Sequence, residues 1–409
     1  MSFATGRDPD HPHILFVIKK MMMGGAERHL TKLLPALISR GLSVELFVLE
    51  RGGELEAEIA SAGVIISGLQ RRSGRAKHLL IAAIELYRRI RQARPDILHF
   101  FLPEPYLVGG LVAALAGHRA SIMSRRSLAR YQHKHPWLKR IEYMLHRRMT
   151  ALLGNSQAVV EELIAESGNG NKIGLIHNGV TISGLVDDRA CLAQRAALDI
   201  PPDAFVMVIV ANLFHYKGHA DLLNALGIIA AKLPQPWRLV VIGRDEGEGA
   251  KLRSQAGSLD IADQIVWLGE RRDVEIVVPV ADVALLVSHE EGFSNALIEA
   301  MGQGLPVIAT AVGGNLDAVV DGETGLLVPP QDPAALAGAI LTLVSDQSKC
   351  RSMGAAARER VLAMFSQEAC VLRYDRLYRG LLARGLDISP ERPVQAIIDG
   401  RDLPLAKVN

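Results

Sequence analysis

The stretch Ser288–Thr310, SHEEGFSNALIEAMGQGLPVIAT, carries two glutamates eight positions apart, Glu291 and Glu299. The apolar run Val283–Val287 precedes it and is typical of a buried strand in a parallel sheet. A glycine and a proline then end a short helix before a second apolar run. The two carboxylates are therefore expected at a strand–loop–helix corner, at the carboxyl end of a strand. Open α/β sheets bind their ligands at such corners.

The residue types at this corner favour contact with a polar ligand. Gly292 lets the backbone approach a ligand closely, and Ser294 is a good N-cap for a helix that begins near Asn295. The free N–H groups at the start of that helix attract an anion. Glu291 can accept hydrogen bonds from hydroxyls or stabilise developing positive charge, and Glu299 can hold a diol such as a ribose. Taken alone, either glutamate is more typical of a solvated surface charge. Only the whole corner favours a site.

Size and composition predict a two-domain α/β protein. The chain has 409 residues, of which 49% are hydrophobic and only 5% aromatic, which favours α/β architecture over a β-sandwich. Its three cysteines are scattered, so we expect no disulfide framework, no metal site and a reducing compartment. The N-terminal residues lack the pattern of a signal peptide. The longest apolar run, Tyr106–Gly117, is too short to span a bilayer. We therefore expect a cytoplasmic protein, either free or peripheral on the inner face of the membrane.

Charge is divided unevenly along the chain. Residues 1–185 carry 25 Lys and Arg against 15 Asp and Glu, whereas the remainder carries 21 against 29. The densest basic segment is Ser124–Arg148, with eight basic residues, one acid (Glu142) and interleaved apolar residues. This pattern is typical of a segment that lies on an anionic membrane surface or holds a phosphorylated acceptor. It is equally typical of a solvated helix with its apolar side in the core. No nucleic-acid partner is predicted.

Apolar runs and helical spacings alternate through both halves of the chain. The pattern predicts two Rossmann-like, doubly wound domains, over residues 1–185 and 186–365, and a final helix plus tail over 366–409. The alternation lapses near residues 180–200, and the Pro- and Asp-rich tail after Gly385 is expected to be ordered only by contact. The first predicted strand, His13–Ile18, leads to Gly24-Gly25, where backbone amides could approach a diphosphate. Neither domain begins with G-x-G-x-x-G, which disfavours a dehydrogenase.

The corner and several other marks together resemble one known family. Glu291-Gly-Phe-x5-Glu299, followed by Ala-Met-Gly-x-Gly-x-Pro-Val, resembles the E-x7-E corner of the retaining glycosyltransferases of the GT-B fold, family 4. The resemblance covers almost the whole chain. The other marks occur in the family's order: Gly24-Gly25-Ala26-Glu27, His177-Asn178-Gly179-Val180, Leu213-x3-Lys217-Gly218, Gly313-Gly314 and Asp321-Gly-x-x-Gly325.

The resemblance implies a fold and an activity. Two Rossmann-like domains would face each other across a cleft, with the nucleotide sugar on the C-terminal domain and the acceptor on the N-terminal one. The last helix would cross back onto the first domain. The enzyme would move a sugar, with retention, from a nucleotide diphosphate donor to a hydroxyl of a lipid-linked or polysaccharide acceptor. UDP is the more expected nucleotide, with GDP second.

The resemblance also implies roles for individual residues. Glu291 would contact the sugar hydroxyls and support oxocarbenium-like charge, Glu299 would bind the ribose, and Lys217 would neutralise the diphosphate. Because no Asp-x-Asp stands where a metal-dependent scheme would require one, we expect metal-independent transfer without a cofactor. The donor-binding set is Gly24, Gly25, Asn212, Lys217, Gly243, Arg271, Gly292, Phe293, Ser294 and Glu299, with backbone amides of Gly25, Gly292, Phe293 and Ser294 assisting at the diphosphate.

The chain departs from the family pattern at three places. Ala211-Asn212 replaces the usual Gly-Arg, so a second phosphate cation is missing. Ser124-Arg125-Arg126 stands where a histidine is frequent, and either arginine is a candidate for an acceptor or donor phosphate. Thr181 replaces an aspartate. The alternatives left open are a GT-B epimerase, hydrolase or phosphorylase, and a non-catalytic sugar-nucleotide-binding subunit in which Asn212 marks lost catalysis.

Overall fold

The computed structural model describes residues 11–70, 74–128, 132, 136–182 and 184–401. Residues 1–10, and residues 129–131 and 133–135 of the basic segment, carried predictions above and lie outside the described residues. The chain divides into two compact units. One comprises Met1–Gly179 with Gln367–Asn409, and the other comprises Val180–Ser366.

The first unit is built on a parallel sheet of seven strands. Its order is β3-β2-β1-β4-β5-β6-β7, so the direction of winding reverses between β1 and β4. Alternate residues of β1 face two cores, Phe16 on one side and Leu15 and Val17 on the other, as the two-residue period of a strand requires. The strands are β1 His13–Ile18, β2 Ser43–Arg51, β3 Ile65–Gln70, β4 Ile97–Phe101, β5 Ser121–Arg125, β6 Ala151–Gly154 and β7 Ile173–Leu175.

Helices cover both faces of this sheet. Helix α1 buries Leu30, Leu33, Leu34 and Leu37 at helical spacing against one face, and α3, α4 and α6 contribute to the core on the other face. Ser156 caps α6 by accepting a hydrogen bond from the Val159 amide. The helices are α1 Gly25–Ser39, α2 Glu56–Ser61, α3 Arg75–Ala93, α4 Pro103–Leu115, α5 Pro136–His146 and α6 Gln157–Ser167.

The second unit repeats the plan with six parallel strands in the order β10-β9-β8-β11-β12-β13. Its strands are β8 Phe205–Val210, β9 Trp237–Ile242, β10 Ile265–Gly269, β11 Val283–Leu286, β12 Val307–Thr310 and β13 Gly325–Val328. Its helices are α7 Asp188–Ala197, α8 His219–Ile229, α9 Gly249–Ser258, α10 Val274–Val277, α11 Asn295–Gly302, α12 Asn315–Ala318, α13 Pro333–Ser345 and α14 Gln347–Met364. The winding reverses between β8 and β11, and ligands bind where strand order reverses in such sheets.

Helix α7 lies in the stretch where the sequence pattern lapses. The sequence pattern did not predict a helix there. The Asp187 carboxylate caps the helix by accepting a hydrogen bond from the Ala190 amide at 2.8 Å, and none of its residues is buried. A helix without a buried face carries no apolar periodicity, which explains why the pattern did not reveal it. The unit boundary at Val180 also lies six residues before the predicted one.

The C-terminal segment belongs to the first unit and forms two helices, α15 Gln367–Ala383 and α16 Val394–Asp399. Helix α15 buries Tyr374 and Tyr378 in the core beside α1. Helix α16 lies in the tail that was expected to be ordered only by contact, and it buries Val394, Ile397 and Ile398. Two glycines make room for it. A Cβ on Gly380 would lie 2.4 Å from Ile397, and one on Gly174 would lie 2.4 Å from Ile398.

Within the described residues, no helix combines the length and the apolar character that a membrane span requires.

Candidate active site

Two loops meet where the winding of the second sheet reverses. Strands β8 and β11 are paired neighbours, and each is followed by a loop that carries a predicted site residue. After β8 comes a 3₁₀ turn, His215–Lys217. After β11 comes the corner with Glu291. The structure brings the two together, because Lys217 Nζ lies 2.5 Å from Glu291 Oε1.

Lys217 is aimed at the corner by a glycine turn. Gly218 has a left-handed φ of 73°, and a Cβ there would lie 2.0 Å from the Val287 carbonyl oxygen. Glycine is therefore required for the chain to turn so close to the end of β11. The ammonium also lies 5.2 Å from the centre of the Tyr216 ring. The lysine side chain keeps 18% of its surface exposed, so a ligand can reach it.

Hydrogen bonds from Ser288 to Glu291 and from Thr310 to Ser288 position the Glu291 carboxylate, and neither residue was predicted to have this role. The Ser288 hydroxyl donates to Glu291 Oε1 at 2.8 Å, and the Thr310 hydroxyl donates to the Ser288 carbonyl at 2.6 Å. Glu291 itself is 8% exposed. Lys217 and Ser288 both donate to Oε1. The position of Ser288, directly after the predicted strand Val283–Val287, was the only signal in the sequence.

A glycine pair lies directly against the corner. A Cβ on Gly313 would fall 1.8 Å from the Glu291 carbonyl oxygen, and one on Gly314 would fall 2.3 Å from the Gly292 carbonyl oxygen. The loop after β12 thus fixes the backbone of Glu291 and Gly292 through contacts that only glycine permits. The Gly-Gly mark in the sequence has its physical reason here.

Helix α11 begins at the corner, as predicted. Ser294 is its N-cap and accepts a hydrogen bond from the Leu297 amide at 3.3 Å. The Phe293 ring is buried 5.4 Å from the Phe365 ring, so only the backbone of Phe293 remains a candidate for ligand contact. Glu299 lies half-buried on α11. The ribose role of Glu299 and the diphosphate role of the amides stay predictions.

The remaining donor-side candidates, Asn212, Gly243 and Arg271, lie in the loops after strands β8, β9 and β10 of the second sheet. The Asn212 side-chain oxygen accepts from the Arg244 amide at 3.0 Å, and the Gly243 amide donates to the Gly269 carbonyl at 2.8 Å. Asn212 thus ties the loop after β9 to that after β8. The Arg271 guanidinium forms two hydrogen bonds to Asp273, at 2.9 and 2.6 Å. That pairing raises the pKa of Arg271 and fixes the side chain locally.

His289 connects the corner to helix α8 and to the turn that carries Lys217. His289 Nε2 lies 2.7 Å from Asp221 Oδ2 on α8, and the His289 amide donates to the Tyr216 carbonyl at 2.7 Å. The corner and the turn that carries Lys217 are therefore joined on both sides of the Lys217–Glu291 contact. His219, the first residue of α8, is buried. Its burial and the nearby Lys217 charge lower its pKa to about 4.

In the first unit, Gly24 and Gly25 open helix α1 after β1. Gly24 is the N-cap residue, and its carbonyl accepts from the Arg28 amide at 2.9 Å. A Cβ on Gly25 would meet no atom within 4 Å. Burial raises the pKa of the Glu27 carboxyl in the same turn. The predicted contact of these amides with a diphosphate stays a prediction.

Arg125 does not suit the acceptor role that the sequence suggested. Its side chain is 3% exposed, and it pairs with Glu166 at 2.7 Å and with Glu142 at 3.3 Å. Burial opposes ionisation of Glu166, but hydrogen bonds from His146 and Arg125 outweigh it and lower the pKa of Glu166 to about 2. The correction has a physical reason: the guanidinium charge is already balanced by the carboxylates of Glu142 and Glu166 and serves the core.

Arg126, by contrast, is half-buried at the carboxyl end of β5. Its guanidinium donates to the Asn178 side-chain oxygen at 2.5 Å and to the Tyr374 hydroxyl at 3.4 Å, and lies 5.7 Å from the Phe101 ring centre. Of the two arginines, only Arg126 remains a candidate for a ligand phosphate. Within the described part of the chain, no cluster of three or more His, Cys, Asp or Glu side chains forms a metal site.

Comparison with known families accounts for both halves of the chain. The model described as Glycosyltransferase Family 4 matches residues 23–183, and the model described as Glycosyl transferases group 1 matches residues 192–360.

Two curated relatives illustrate the range of similar sequences. D-inositol 3-phosphate glycosyltransferase of Corynebacterium urealyticum is 31% identical over 276 residues, 64% of this chain and 65% of the relative. That match spans just under two thirds of the relative's own length. The lipopolysaccharide core biosynthesis glycosyltransferase LpsE of Rhizobium meliloti is 26% identical over 87% of this chain and 95% of the relative.

The fold has solved counterparts. HepE of Anabaena, crystallised in complex with UDP and glucose, superposes with a TM-score of 0.79 at 21% identity, covering 92% of this chain and 99% of HepE. At this identity the likeness concerns the fold alone. It confirms the predicted GT-B class of two Rossmann-like sheets with surrounding helices.

Proposed function

Because this chain belongs to the glycosyltransferases whose family 4 and group 1 models match its two halves, we propose that it is a retaining hexosyltransferase. It takes the sugar of a nucleotide diphosphate sugar, most simply a UDP-sugar, and transfers it to a hydroxyl of a lipid-linked or polysaccharide acceptor. The observation that carries this proposal is the 2.5 Å contact between Lys217 and Glu291 where the second sheet reverses its winding.

Lys217 supplies the positive charge for the leaving group. As the bond between the anomeric carbon and the diphosphate breaks, its electron pair stays with the diphosphate oxygen, and negative charge grows there. A preorganised ammonium and the positive end of the α11 dipole stabilise that charge. Lys217 then exchanges one anionic partner, Glu291, for another, the diphosphate. Asn212 is neutral where the family has an arginine, so Lys217 carries more of this role.

Glu291 serves the sugar. Its Oε1 accepts from Ser288 and Lys217, and we assign Oε2 to a hydroxyl of the donor sugar. The carboxylate also stabilises the positive charge that develops on the ring as the bond breaks. The acceptor oxygen attacks from the face that the diphosphate leaves, and its proton passes to the departing diphosphate. The configuration is retained without a covalent enzyme intermediate. Glu299 holds the ribose of the nucleotide.

UDP and the acceptor class rest on similarity. HepE has been crystallised with UDP and glucose, and the relatives are named for inositol phosphate and lipopolysaccharide core acceptors. Each of these supports a hydroxyl acceptor for this chain. We further propose that transfer proceeds without a metal ion, because Lys217 and the start of α11 provide positive charge at the diphosphate. We place the enzyme in the cytoplasm, in keeping with its three free cysteines, Cys191, Cys350 and Cys370.

The test is release of nucleotide from a panel of nucleotide sugars, with and without an acceptor extract and with and without a chelator. Wild-type protein is expected to release UDP only when acceptor is present, equally with chelator, and NMR of the product is expected to show the donor's anomeric configuration. Glu291→Ala should lose turnover, whereas Glu323→Ala, an exposed glutamate in a turn of the same unit, should keep it. Release without acceptor would favour an epimerase or hydrolase, and no turnover of any donor would reject the enzyme.

A further inference from the structure

Helix α3 presents an apolar stripe to solvent. Leu80, Ile84 and Tyr87 recur at spacings of four and three residues, with Ile81 beside them, and Leu80 is 63% exposed. The opposite side of the helix buries Ala82, Leu86 and Ile90 in the core. The helix is therefore apolar on both sides, whereas a surface helix normally needs only one apolar side.

The neighbouring helices extend this stripe. Helix α4 contacts α3 and α5, and it exposes Leu111 and Leu115, one helical turn apart, with Leu115 79% exposed. Helix α5 exposes Trp137 and Met144, two turns apart. We call these exposed apolar residues of the three helices the α3–α4–α5 face. It gathers large apolar side chains on one layer of the first unit, and such concentrations mark interaction surfaces.

The rim of this face is basic. Exposed arginines and lysines flank the apolar residues, and the acids nearby are already paired. Glu85 lies 3.6 Å from Arg88, Glu104 pairs with Lys19 at 2.7 Å and with Arg75 at 3.2 Å, and Glu142 on α5 is buried. Two rim arginines, Arg75 and Arg88, thus pair with these acids, and the rim still carries more basic than acidic side chains. The exposed basic residues of α3 and α5 are Arg75, Lys77, Arg88, Arg91, Lys139 and Arg140.

We propose that the α3–α4–α5 face binds the surface of a bilayer that contains anionic phospholipids. Apolar side chains entering the acyl boundary, an amphipathic Trp137 and Tyr87 at headgroup depth, and a rim of Lys and Arg are the three components of interfacial binding. A second copy of the chain is the poorer occupant, because an interface between identical faces would bring two positive rims together.

Helix α5, which lies in the basic segment, combines features of the two interpretations given for that segment. Helix α5 buries Leu145 in the core yet exposes Trp137 and Met144, so its apolar residues serve both sides. The inference deepens the proposed function, since a lipid-linked acceptor resides in a bilayer. Binding to vesicles requires neither donor nor turnover. Vesicle binding can therefore fail while transferase activity is present, and transferase activity can fail while vesicle binding is present.

The experiment is co-sedimentation of the full chain with vesicles of phosphatidylcholine alone or with about one third phosphatidylglycerol, at low salt and at about 0.5 M salt. We expect binding to the anionic vesicles at low salt, and much weaker binding to neutral vesicles or at high salt. Ile84→Asn with Trp137→Ser should abolish binding. At about 1 kcal/mol per charge, Lys77→Gln with Arg91→Gln and Arg140→Gln should weaken it roughly 100-fold.

The matched control is Ile228→Asn with Leu362→Asn, two similarly exposed apolar residues on helices of the second unit. This variant should bind vesicles like wild type. The proposal is overturned if wild type does not sediment with anionic vesicles, if it binds neutral vesicles equally well, or if the face variants bind unchanged. It is also overturned if size-exclusion chromatography shows that wild type is an oligomer which the face variants dissociate, because the face would then join copies of the chain.

Discussion

A lysine and a glutamate from neighbouring strand ends neutralise each other at the candidate site, through the hydrogen bond between Lys217 Nζ and Glu291 Oε1. Glu291 and the capping Ser294 were predictable from the residue types of the corner, whereas Lys217 was indicated only by the resemblance to the family. Ser288 was not predictable, since its role depends on where its hydroxyl points after folding. The burial of Arg125 was not predictable either, because its partner Glu166 lies 41 residues away.

Ser288→Ala tests whether the hydroxyl positions Glu291. Loss of the 2.8 Å hydrogen bond leaves the carboxylate held by Lys217 alone, so we expect kcat to fall about tenfold with little change in KM, and stability to fall by about 1 kcal/mol. The measurement is steady-state kinetics beside urea unfolding. Ser258→Ala, at an exposed serine near the end of α9, is the control. Unchanged kcat in Ser288→Ala would remove Ser288 from the positioning of Glu291.

At the scale of elements, apolar runs located the strands at the sites of interest: the runs His13–Ile18 and Val283–Val287 correspond to β1 His13–Ile18 and β11 Val283–Leu286. Helices α7 and α16 were missed for opposite reasons. Helix α7 buries none of its residues and therefore shows no apolar periodicity. Helix α16 is short and follows a Pro-rich segment, and it packs against α15 and β7. A helix is predicted from the sequence when apolar residues recur at helical spacing over a long window, and neither helix has such a pattern.

A pair of glycines in helices should respond to alanine with opposite signs. Gly380→Ala in α15 places a Cβ 2.4 Å from Ile397, while Gly338→Ala in α13 meets no atom within 4 Å. We expect Gly380→Ala to destabilise the first unit by about 1–3 kcal/mol through overpacking. Gly338→Ala should stabilise the second by about 0.5–1 kcal/mol through helix propensity. Urea titration followed by circular dichroism measures both, and equal effects would contradict the packing of α16.

Helix α8 gives the second unit a pH dependence. His219 at its start has a pKa of about 4, below the usual value of 6.5, so the unfolded chain binds its proton more readily than the folded one. The contribution of neutral His219 to the free energy of unfolding is therefore fully present above pH 6.5, and it is lost as the pH falls from 6.5 towards 4. We expect the urea midpoint to fall between pH 7.5 and pH 5, and less steeply in His219→Gln. An equal slope in that variant would assign the effect to other groups.

At the scale of the whole molecule, the second unit is one continuous segment, whereas the first needs both ends of the chain. The sequence predicted two doubly wound domains because strand and helix patterns alternate twice. It placed the boundary within a few residues because Val180 lies at the start of the lapse in the pattern. The contact that α15 makes with the first sheet could not be predicted from the sequence. The Tyr378 hydroxyl on α15 lies 2.7 Å from Nδ1 of the buried His99 on β4.

Removal of residues after Ser366 should unfold the first unit selectively. Truncation would expose the core around Phe16 and Leu37 that α15 covers, and would leave His99 without its tyrosine partner. We expect the truncated chain to lose the cooperative unfolding transition of the first unit, followed through Trp137, which lies in that unit. Trp237 and Trp267 should still report a folded second unit. A first unit that unfolds as in the full chain would show that the C-terminal helices are dispensable.

Lys217 and Glu291 have separate roles in donor binding, and titration calorimetry with two ligands measures these roles directly. The ligands are UDP and the UDP-sugar that wild type turns over. Lys217→Ala should weaken both by at least about tenfold, since both carry the diphosphate. Glu291→Ala should weaken only the UDP-sugar and leave UDP bound as tightly or more tightly, because it frees the Lys217 ammonium. Equal losses for both ligands in Glu291→Ala, or wild-type affinity in Lys217→Ala, would contradict the assignment.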